Sequence, residues 1–212
     1  GHGLSKGKCL TSIEDMAEWI KNVIDVTDCK EASLVGHSQG CLIGLECASR
    51  YPKAIKTLSL LGGSGSMPVN PILLDLAENN NHKVVDLMMD WCYGPAGQFG
   101  THPIPGMSHI NIGSSIMTNK SLKDTLCVDL NACNNYVNGF QAAENLTLPV
   151  LTILGDQDKM CSLKVGKKLS TTIKNSDMYI IKNCGHMMHL EEADKTLSIL
   201  KKFIKNNYPL KD

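Results

Sequence analysis

The feature of this 212-residue chain that most restricts its fold is a serine between a predicted strand and a predicted helix. Residues 32–35 form a short apolar run that predicts a buried strand, and residues 41–48 predict a helix. The five residues 36–40 between them read Gly-His-Ser-Gln-Gly, which matches the pattern G-x-S-x-G. A serine on so sharp a turn has a strained backbone that exposes its hydroxyl, and the two glycines let strand and helix approach closely. The sequence therefore predicts a nucleophile at Ser38.

Two further predicted strands are followed by the partners that such a serine needs. Residues 150–154 form a buried-strand run that leads into Gly-Asp-Gln-Asp, so Asp156 and Asp158 are both candidate acids. Residues 178–181 form another strand, and His186 follows it. A serine hydroxyl is a poor nucleophile until a histidine takes its proton, and a carboxylate holds the tautomer of that histidine. Because ligands bind beyond the carboxyl ends of parallel strands, we expect the three side chains to converge there.

With these motifs the chain resembles the α/β-hydrolase superfamily, in its cap-bearing, esterase-like branch. Residues 34–40 resemble the nucleophile elbow of that family, which implies that Ser38 is the nucleophile and that the amide of Gln39 belongs to the oxyanion hole. Residues 1–5, Gly-His-Gly-Leu-Ser, resemble the segment G-H-G-x-S, which four strands and a His-Gly loop precede in the family. The resemblance therefore implies a partial α/β-hydrolase fold that lacks its N-terminal strands and the second oxyanion-hole donor.

The same resemblance indicates which of the two aspartates is the catalytic acid and which histidine is the base. Residues 154–158 resemble the G-x-x-D loop of the family, which selects Asp158 as the catalytic acid. Residues 184–191 resemble its stretch G-H-x-x-H-L-E, in which the first histidine is catalytic. His186 is therefore the expected base, and His189 is left with a supporting or packing role.

Helices that alternate with strands along the chain predict an α/β fold, with a mostly parallel sheet flanked by helices. Residues 55–61 form a further predicted strand, which runs into the glycine-rich residues 62–66, and the resemblance implies that the chain leaves the sheet there to form an inserted helical cap. We therefore predict an α/β-hydrolase core of residues 1–66 and 146–212 and a cap, or lid, of residues 67–145.

Local patterns give three more predictions. Thr11 and Glu14 form a capping box that predicts the start of the first helix. Residues 93–113 contain several glycines and prolines and predict a turn-rich stretch of the cap. One predicted cap helix carries three apolar residues that are candidates for lining the substrate pocket, with packing in the core as the alternative. These residues are Met88, Met89 and Trp91.

Composition excludes several kinds of partner. The 21 basic and 21 acidic residues give a formal net charge of zero without a basic stripe, so a nucleic-acid partner is not expected. No apolar stretch approaches the length of a membrane span, so no membrane partner is expected. Nine cysteines without a C-x-x-C pair predict free thiols and a cytoplasmic location. His82, His102 and His109 lack the spacing of metal ligands, and no metal or organic cofactor is expected.

The chemistry we predict is acyl transfer to water by a serine hydrolase. His186 deprotonates Ser38, which attacks the carbonyl carbon of a small-molecule carboxylic ester, thioester or lactone, and water then releases the acid from the acyl-enzyme. The same triad also supports hydrolysis of a C–C bond and acyl transfer to another alcohol, so these reactions stay alternatives. A non-catalytic, hydrolase-like binding protein is the alternative of a different class. The sequence does not indicate an oligomeric state.

Overall fold

The computed structural model describes residues 1–27, 29–98, 108–118 and 121–208. In these residues four strands form one sheet in the order β1-β2-β3-β4, and all neighbouring strands are parallel. The strands are β1 (Ala32–His37), β2 (Ile55–Leu61), β3 (Val150–Gly155) and β4 (Ser176–Ile181). Every residue of β3 is buried, which is what a central strand with a continuous apolar sequence requires, whereas β1 and β4 are more exposed.

Helices separate the strands, as the alternating apolar patterns predict. In chain order they are α1 (Ile13–Val26), α2 (Gln39–Arg50), α3 (Pro71–Glu78), α4 (Lys83–Cys92), α5 (Pro95–Gln98), α6 (His109–Met117), α7 (Leu126–Asn135), α8 (Gly139–Glu144), α9 (Leu163–Thr172), α10 (Met188–Glu191) and α11 (Ala193–Asn207). The predicted α/β class, with a parallel sheet flanked by helices, is confirmed.

Helices cover both faces of the sheet. On one face α1, α2, α8 and α9 pack in a single hydrophobic cluster that includes Leu58 and Leu60 of β2. On the other face Phe203 of α11 packs with Leu151 and Ile153 of β3. Because successive side chains of a strand point to opposite faces, the two layers are filled by alternate residues of the same strands. The carboxyl ends of the strands are left at one edge, where the loops after β1, β3 and β4 meet.

Between β2 and β3 the described chain forms the helices α3 to α8 and no strand. Helices α3, α4 and α7 share a hydrophobic cluster, which Met160 and Met187 join from the loops that follow β3 and β4. The helical segment therefore lies over the carboxyl ends of those two strands. The division into a core and a cap with boundaries near residues 67 and 145 stays a prediction.

Two local predictions are wrong. The N-cap of α1 is Ser12, whose Oγ accepts a hydrogen bond from the amide of Asp15 at 3.1 Å, so the cap lies one residue beyond Thr11. The stretch predicted to be turn-rich ends in α6, whose N-cap Ser108 accepts from the amide of Asn111. None of the residues of α6 is buried, so the helix has no buried apolar stripe, and the preceding glycines and prolines made its N-cap hard to recognise in the sequence. The remainder of that stretch, residues 99–107, lies outside the described residues.

Candidate active site

Ser38 lies on the tight turn between β1 and α2. Its backbone has φ 53° and ψ −120°, a region that a residue with a side chain rarely adopts. A Cβ atom at Gly36 would lie 2.2 Å from the carbonyl oxygen of Gly40, so only glycine lets the strand pass this close to the helix. The amide of Ser38 donates to the carbonyl of Leu61 at 3.0 Å, which fixes the turn to β2. The Ser38 side chain makes no capping hydrogen bond to α2, so its hydroxyl is not engaged by its own helix.

Asp158 and His186 meet at the same edge of the sheet, after β3 and β4. His186 Nδ1 lies 2.8 Å from Asp158 Oδ2, and both residues are buried. Asp158 Oδ1 accepts two backbone hydrogen bonds, from the amides of Met160 at 2.9 Å and Cys161 at 2.8 Å. These two bonds fix the carboxylate, so that its other oxygen can orient the imidazole. His186 Nε2, on the far side of the ring, is buried and has no hydrogen-bond partner among the described residues.

The second candidate acid, Asp156, lies apart from this pair. Its carboxylate is 3.6 Å from the ammonium group of Lys182, which is exposed at the surface. The geometry thus joins His186 to Asp158 and not to Asp156, and the role of Asp158 as the catalytic acid stays a prediction.

Gly62, which follows β2, forms one wall around the aspartate and the histidine. Its φ is +58°, and a Cβ atom there would lie 3.0 Å from His186 Nδ1 and 3.4 Å from Asp158 Oδ2. A side chain at this position would therefore push the two groups apart. The sequence predicted residues 62–66 only as the place where the chain leaves the sheet. The contact of Gly62 with Asp158 and His186 was not predicted, because it depends on how β2 and β4 are placed in the sheet.

The imidazole ring of His37 contacts those of His186 and His189. The His37 ring is 4.7 Å from the His186 ring and 4.6 Å from the His189 ring, measured between centroids. His37 Nε2 donates a hydrogen bond to the carbonyl oxygen of His186 at 2.9 Å. Burial, with the neighbouring imidazoles adding to the effect, lowers the pKa of His37 to about 3, so this ring is neutral at ordinary pH. No sequence pattern indicated a role for His37, which supports the backbone of His186 through this hydrogen bond.

Buried thiols fill the space around Asp158. Burial raises the pKa of Cys92, Cys161 and Cys184, each to about 12, and the Asp158 carboxylate adds to the effect. The thiols are therefore uncharged at neutral pH and pack as small apolar groups. They give the aspartate a surrounding of low polarity in which its hydrogen bond to His186 is strengthened.

Gln39 connects the elbow to the helical segment. As the first residue of α2, it carries an amide with no carbonyl partner inside the helix, which suits an oxyanion donor. Its side-chain Nε2 donates to the carbonyl of Asp129 in α7 at 3.1 Å. The carboxylate of Asp129 lies 2.7 Å from His2, in the N-terminal segment singled out by its motif.

Two cavities of the described structure are lined by none of Ser38, Asp158 and His186. One, of about 970 Å³, lies between the N-terminal segment and α7. The other, of about 170 Å³, is lined in part by Asp129, whose backbone carbonyl accepts the hydrogen bond from the Gln39 side chain.

The predicted pocket-lining residues lie in the cluster formed by α3, α4 and α7. Met88 and Met89 are buried in it, and Trp91 is half-buried against it. The same cluster contains Met187, next to His186, so these residues pack close to the site. Their contact with a substrate stays a prediction.

The described part of the chain contains neither a cluster of metal ligands nor a candidate membrane span. No group of three or more His, Cys, Asp or Glu side chains there is arranged to hold a metal ion. His102 lies outside the described residues. Among the described helices, none is both long and apolar enough to cross a membrane.

Known proteins share this fold and part of this sequence. Residues 1–106 match the family model of the alpha/beta hydrolase fold. The chain is 23% identical to the 2-hydroxy-6-oxononadienedioate/2-hydroxy-6-oxononatrienedioate hydrolase of Pseudomonas sp, over 89% of this chain and 68% of that protein. It is 24% identical to the monoglyceride lipase of Mus musculus, over 94% of this chain and 68% of the lipase. The enol-lactonase of Burkholderia xenovorans has the same fold, with a TM-score of 0.85 at 18% identity over 96% of this chain and 77% of that one.

The chain therefore belongs to the alpha/beta hydrolase fold family. The resemblance stated from its motifs is confirmed, and so is its classification as a hydrolase.

Proposed function

We propose that the protein is a serine hydrolase that cleaves a small carboxylic ester, thioester or lactone, with Ser38, His186 and Asp158 as its catalytic triad. One observation carries the proposal: Nδ1 of the buried His186 lies 2.8 Å from Asp158, while its Nε2 has no partner in the described structure. A histidine whose Nδ1–H is held by a carboxylate has its Nε2 lone pair free to take a proton from a hydroxyl. The strained Ser38 lies at the same edge of the sheet and offers that hydroxyl.

In the proposed reaction, His186 Nε2 takes the proton of Ser38 as the serine oxygen attacks the carbonyl carbon of the substrate. The backbone amide of Gln39 donates to the developing oxyanion, and the positive N-terminal end of α2 adds to this stabilisation. The imidazolium then gives its proton to the leaving group, and the acyl-enzyme remains on Ser38. A water molecule activated by the same histidine releases the acid.

The relatives support an acyl compound as the substrate. The similar proteins include a monoglyceride lipase and an enol-lactonase. The compounds in these two names, a monoglyceride and a lactone, are both carboxylic esters. A second candidate reaction is hydrolysis of a C–C bond, because a dienedioate hydrolase is also among the relatives and the same three side chains suit both reactions. The two reactions are separated by comparing the rate of hydrolysis of p-nitrophenyl esters of increasing acyl-chain length with the rate of C–C bond cleavage in a 2-hydroxy-6-oxodienoate.

Labelling with a fluorophosphonate probe tests the nucleophile. The wild-type protein is expected to be labelled and the Ser38→Ala variant is not, because only an activated serine displaces fluoride from the probe. The same substitution is expected to lower kcat by about 10⁶-fold, the loss found when a triad serine is removed. Ser66→Ala, at an exposed serine, is the matched control and is expected to keep both labelling and activity. A folded wild-type protein that stays unlabelled would favour the non-catalytic binding protein instead.

We also assign the protein to the reducing cytoplasm. All nine cysteines are free, and Cys9 and Cys29 are the two that are not buried. Unpaired thiols persist in compartments where disulfides do not form, which supports this assignment.

A further inference from the structure

One carboxylate outside the proposed triad holds the loop that carries His186. Glu191, at the end of α10, accepts hydrogen bonds from three backbone amides. Its Oε2 lies 2.8 Å from the amide nitrogen of Gly94, and its Oε1 lies 3.2 Å from that of Met187. The amide of Gly185 is shared by the two carboxylate oxygens at 3.1 Å each. Two of these donors immediately flank His186 in the chain.

The remaining amide of this loop is bound by the end of α4. The backbone N–H of His186 donates to the carbonyl oxygen of Cys92 at 2.7 Å. The amides of three consecutive residues, 185–187, are therefore all bound either by Glu191 or by the last residue of α4. Because Glu191 also binds Gly94, its carboxylate joins the histidine loop to the segment that follows α4.

The two backbones touch at this junction. A Cβ atom at Gly185 would lie 2.3 Å from the amide nitrogen of Gly94, so the loop and the end of α4 are packed without space for a side chain. Burial raises the pKa of Glu191, and the three amides that it binds oppose that shift. Hydrogen bonds to an ionised carboxylate are about twice as strong as neutral ones, which suits Glu191 to holding this junction.

We propose that Glu191 is a positioning residue, which sets the place of the His186 imidazole by fixing both of its neighbours and the end of α4. The proposal rests on the proposed role of His186 as the base. The imidazole needs its Nδ1 at hydrogen-bond distance from Asp158 and its Nε2 toward the serine. A displacement of about 1 Å in such an arrangement costs on the order of 10²-fold in rate. Loss of the Glu191 contacts frees the loop to make such a displacement.

The test is Glu191→Gln, with Glu192→Gln as the matched control. A glutamine keeps the size of the side chain, but it has one acceptor oxygen and its NH2 group faces amides that are themselves donors. Glu192, the neighbouring carboxylate, makes no side-chain capping bond to α11. With p-nitrophenyl acetate, Glu191→Gln is expected to lower kcat about 10²-fold with KM nearly unchanged, and Glu192→Gln is expected to match the wild type.

A second readout reports on the imidazole itself. The Nδ1 proton of His186, held by Asp158, is expected to give a downfield proton NMR signal in the wild type, identified by its absence in Asp158→Asn. In Glu191→Gln this signal is expected to shift or broaden beyond detection, whereas a role in stability alone would leave it in place in the folded variant. An unchanged signal together with unchanged kcat would overturn the proposal.

Gly94→Ala gives an independent test should Glu191→Gln fail to fold. Its Cβ atom would lie 3.0 Å from the amide nitrogen of Gly185 and 3.1 Å from Glu191 Oε2, so it strains the same junction without removing a charge. Because these contacts are too short by only a few tenths of an ångström and Glu191 itself is kept, we expect a smaller loss of kcat than in Glu191→Gln together with a shifted NMR signal, and retention of the wild-type kcat and signal would overturn the proposal. Failure of the proposed hydrolase function would show differently, as a wild-type protein that is not labelled by fluorophosphonate, and the NMR signal would still test Glu191.

Discussion

The residue with the most unusual backbone in the site is Ser38, with a positive φ that only a surrounding structure can maintain. Its strain is held by the hydrogen bond to Leu61 and by the contact between Gly36 and Gly40. The aspartate is held in a different way, by two backbone amides on one oxygen. In both cases backbone contacts hold the residue in place before a substrate arrives, which is the preorganisation that the proposed mechanism requires.

The assignment of the acid is tested by Asp158→Asn against Asp156→Asn. An asparagine at residue 158 can keep the two amide contacts through its oxygen, but its NH2 group would favour the wrong tautomer of His186. The expected loss in kcat is about 10⁴-fold, as for the same change in a well-studied triad. Asp156→Asn is expected to stay within a few-fold of the wild type, because Asp156 contacts Lys182 and not the histidine. Measured kcat values for p-nitrophenyl acetate in the reverse order would assign the acid to Asp156.

At the scale of elements, α2 is anchored to the helical segment at both ends. Near its start, the Gln39 side chain binds the carbonyl of Asp129 in α7. Near its end, the buried Glu46 carboxylate accepts a hydrogen bond from the hydroxyl of Tyr136, which follows α7, at 2.5 Å, and it also pairs with Arg50. Burial, with the neighbouring Glu46, raises the pKa of Tyr136 and keeps its phenol protonated as the donor. The helix that follows the proposed nucleophile, Ser38, is therefore fixed in place by the helical segment.

Tyr136→Phe measures this anchor. The change removes the hydroxyl from a buried carboxylate and is expected to lower the free energy of unfolding by about 2 kcal/mol, within the range for hydrogen bonds to charged groups. Urea denaturation provides the measurement. Tyr179→Phe, at a tyrosine that is 40% exposed, is the matched control and is expected to change stability by less than about 0.5 kcal/mol. Equal effects of the two substitutions would mean that the contact between Tyr136 and Glu46 does not stabilise the fold.

At the scale of the whole molecule, the helical segment and the sheet are joined where the chain leaves β2 and where it returns to β3. Gly65 lies where the chain leaves β2 for the helical segment, and Gly139, the first residue of α8, lies where the chain returns toward β3. The backbones of these two glycines are in contact. A Cβ atom at Gly139 would lie 2.3 Å from the carbonyl oxygen of Gly65. The hydrophobic cluster of α3, α4 and α7 also joins the helical segment to the loops after β3 and β4. The hydrogen bonds of Glu191 to Gly94 and to the His186 loop make a second connection there. The proposed cap is therefore expected to unfold together with the core.

Gly139→Ala tests this crossing. Because the new methyl group meets backbone and not a flexible side chain, we expect a loss of roughly 1–3 kcal/mol, the usual cost of overpacking. For a chain of this length the loss corresponds to a fall in Tm of about 2–12 °C, measured by circular dichroism. Gly40→Ala is the control. The prediction that both elbow glycines are needed for close approach is wrong for Gly40, because no atom lies within 4 Å of a Cβ added there, so this variant is expected to be neutral or slightly stabilising. A Gly139→Ala variant as stable as Gly40→Ala would contradict the crossing.

Much of the fold was predictable because its signals are local. Each of the four strands is an apolar run, and each was predicted at its observed place, within a few residues at the ends. The helix α6 and the cap at Ser12 were missed, because a short helix without buried residues and two adjacent capping residues give ambiguous local patterns. The residue types of the proposed site, a serine, an acid and a histidine after successive strands, were also visible in the sequence.

The sequence by itself determined the α/β class, the family and the residues to examine, because strand periodicity and the elbow motif depend on neighbours along the chain. Only the tertiary structure decided that His186 is joined to Asp158, that Gly62 and His37 pack against it, and that Glu191 ties its loop to the end of α4. Those contacts join residues up to 149 positions apart. They depend on the packing of whole elements against one another, which no local pattern specifies.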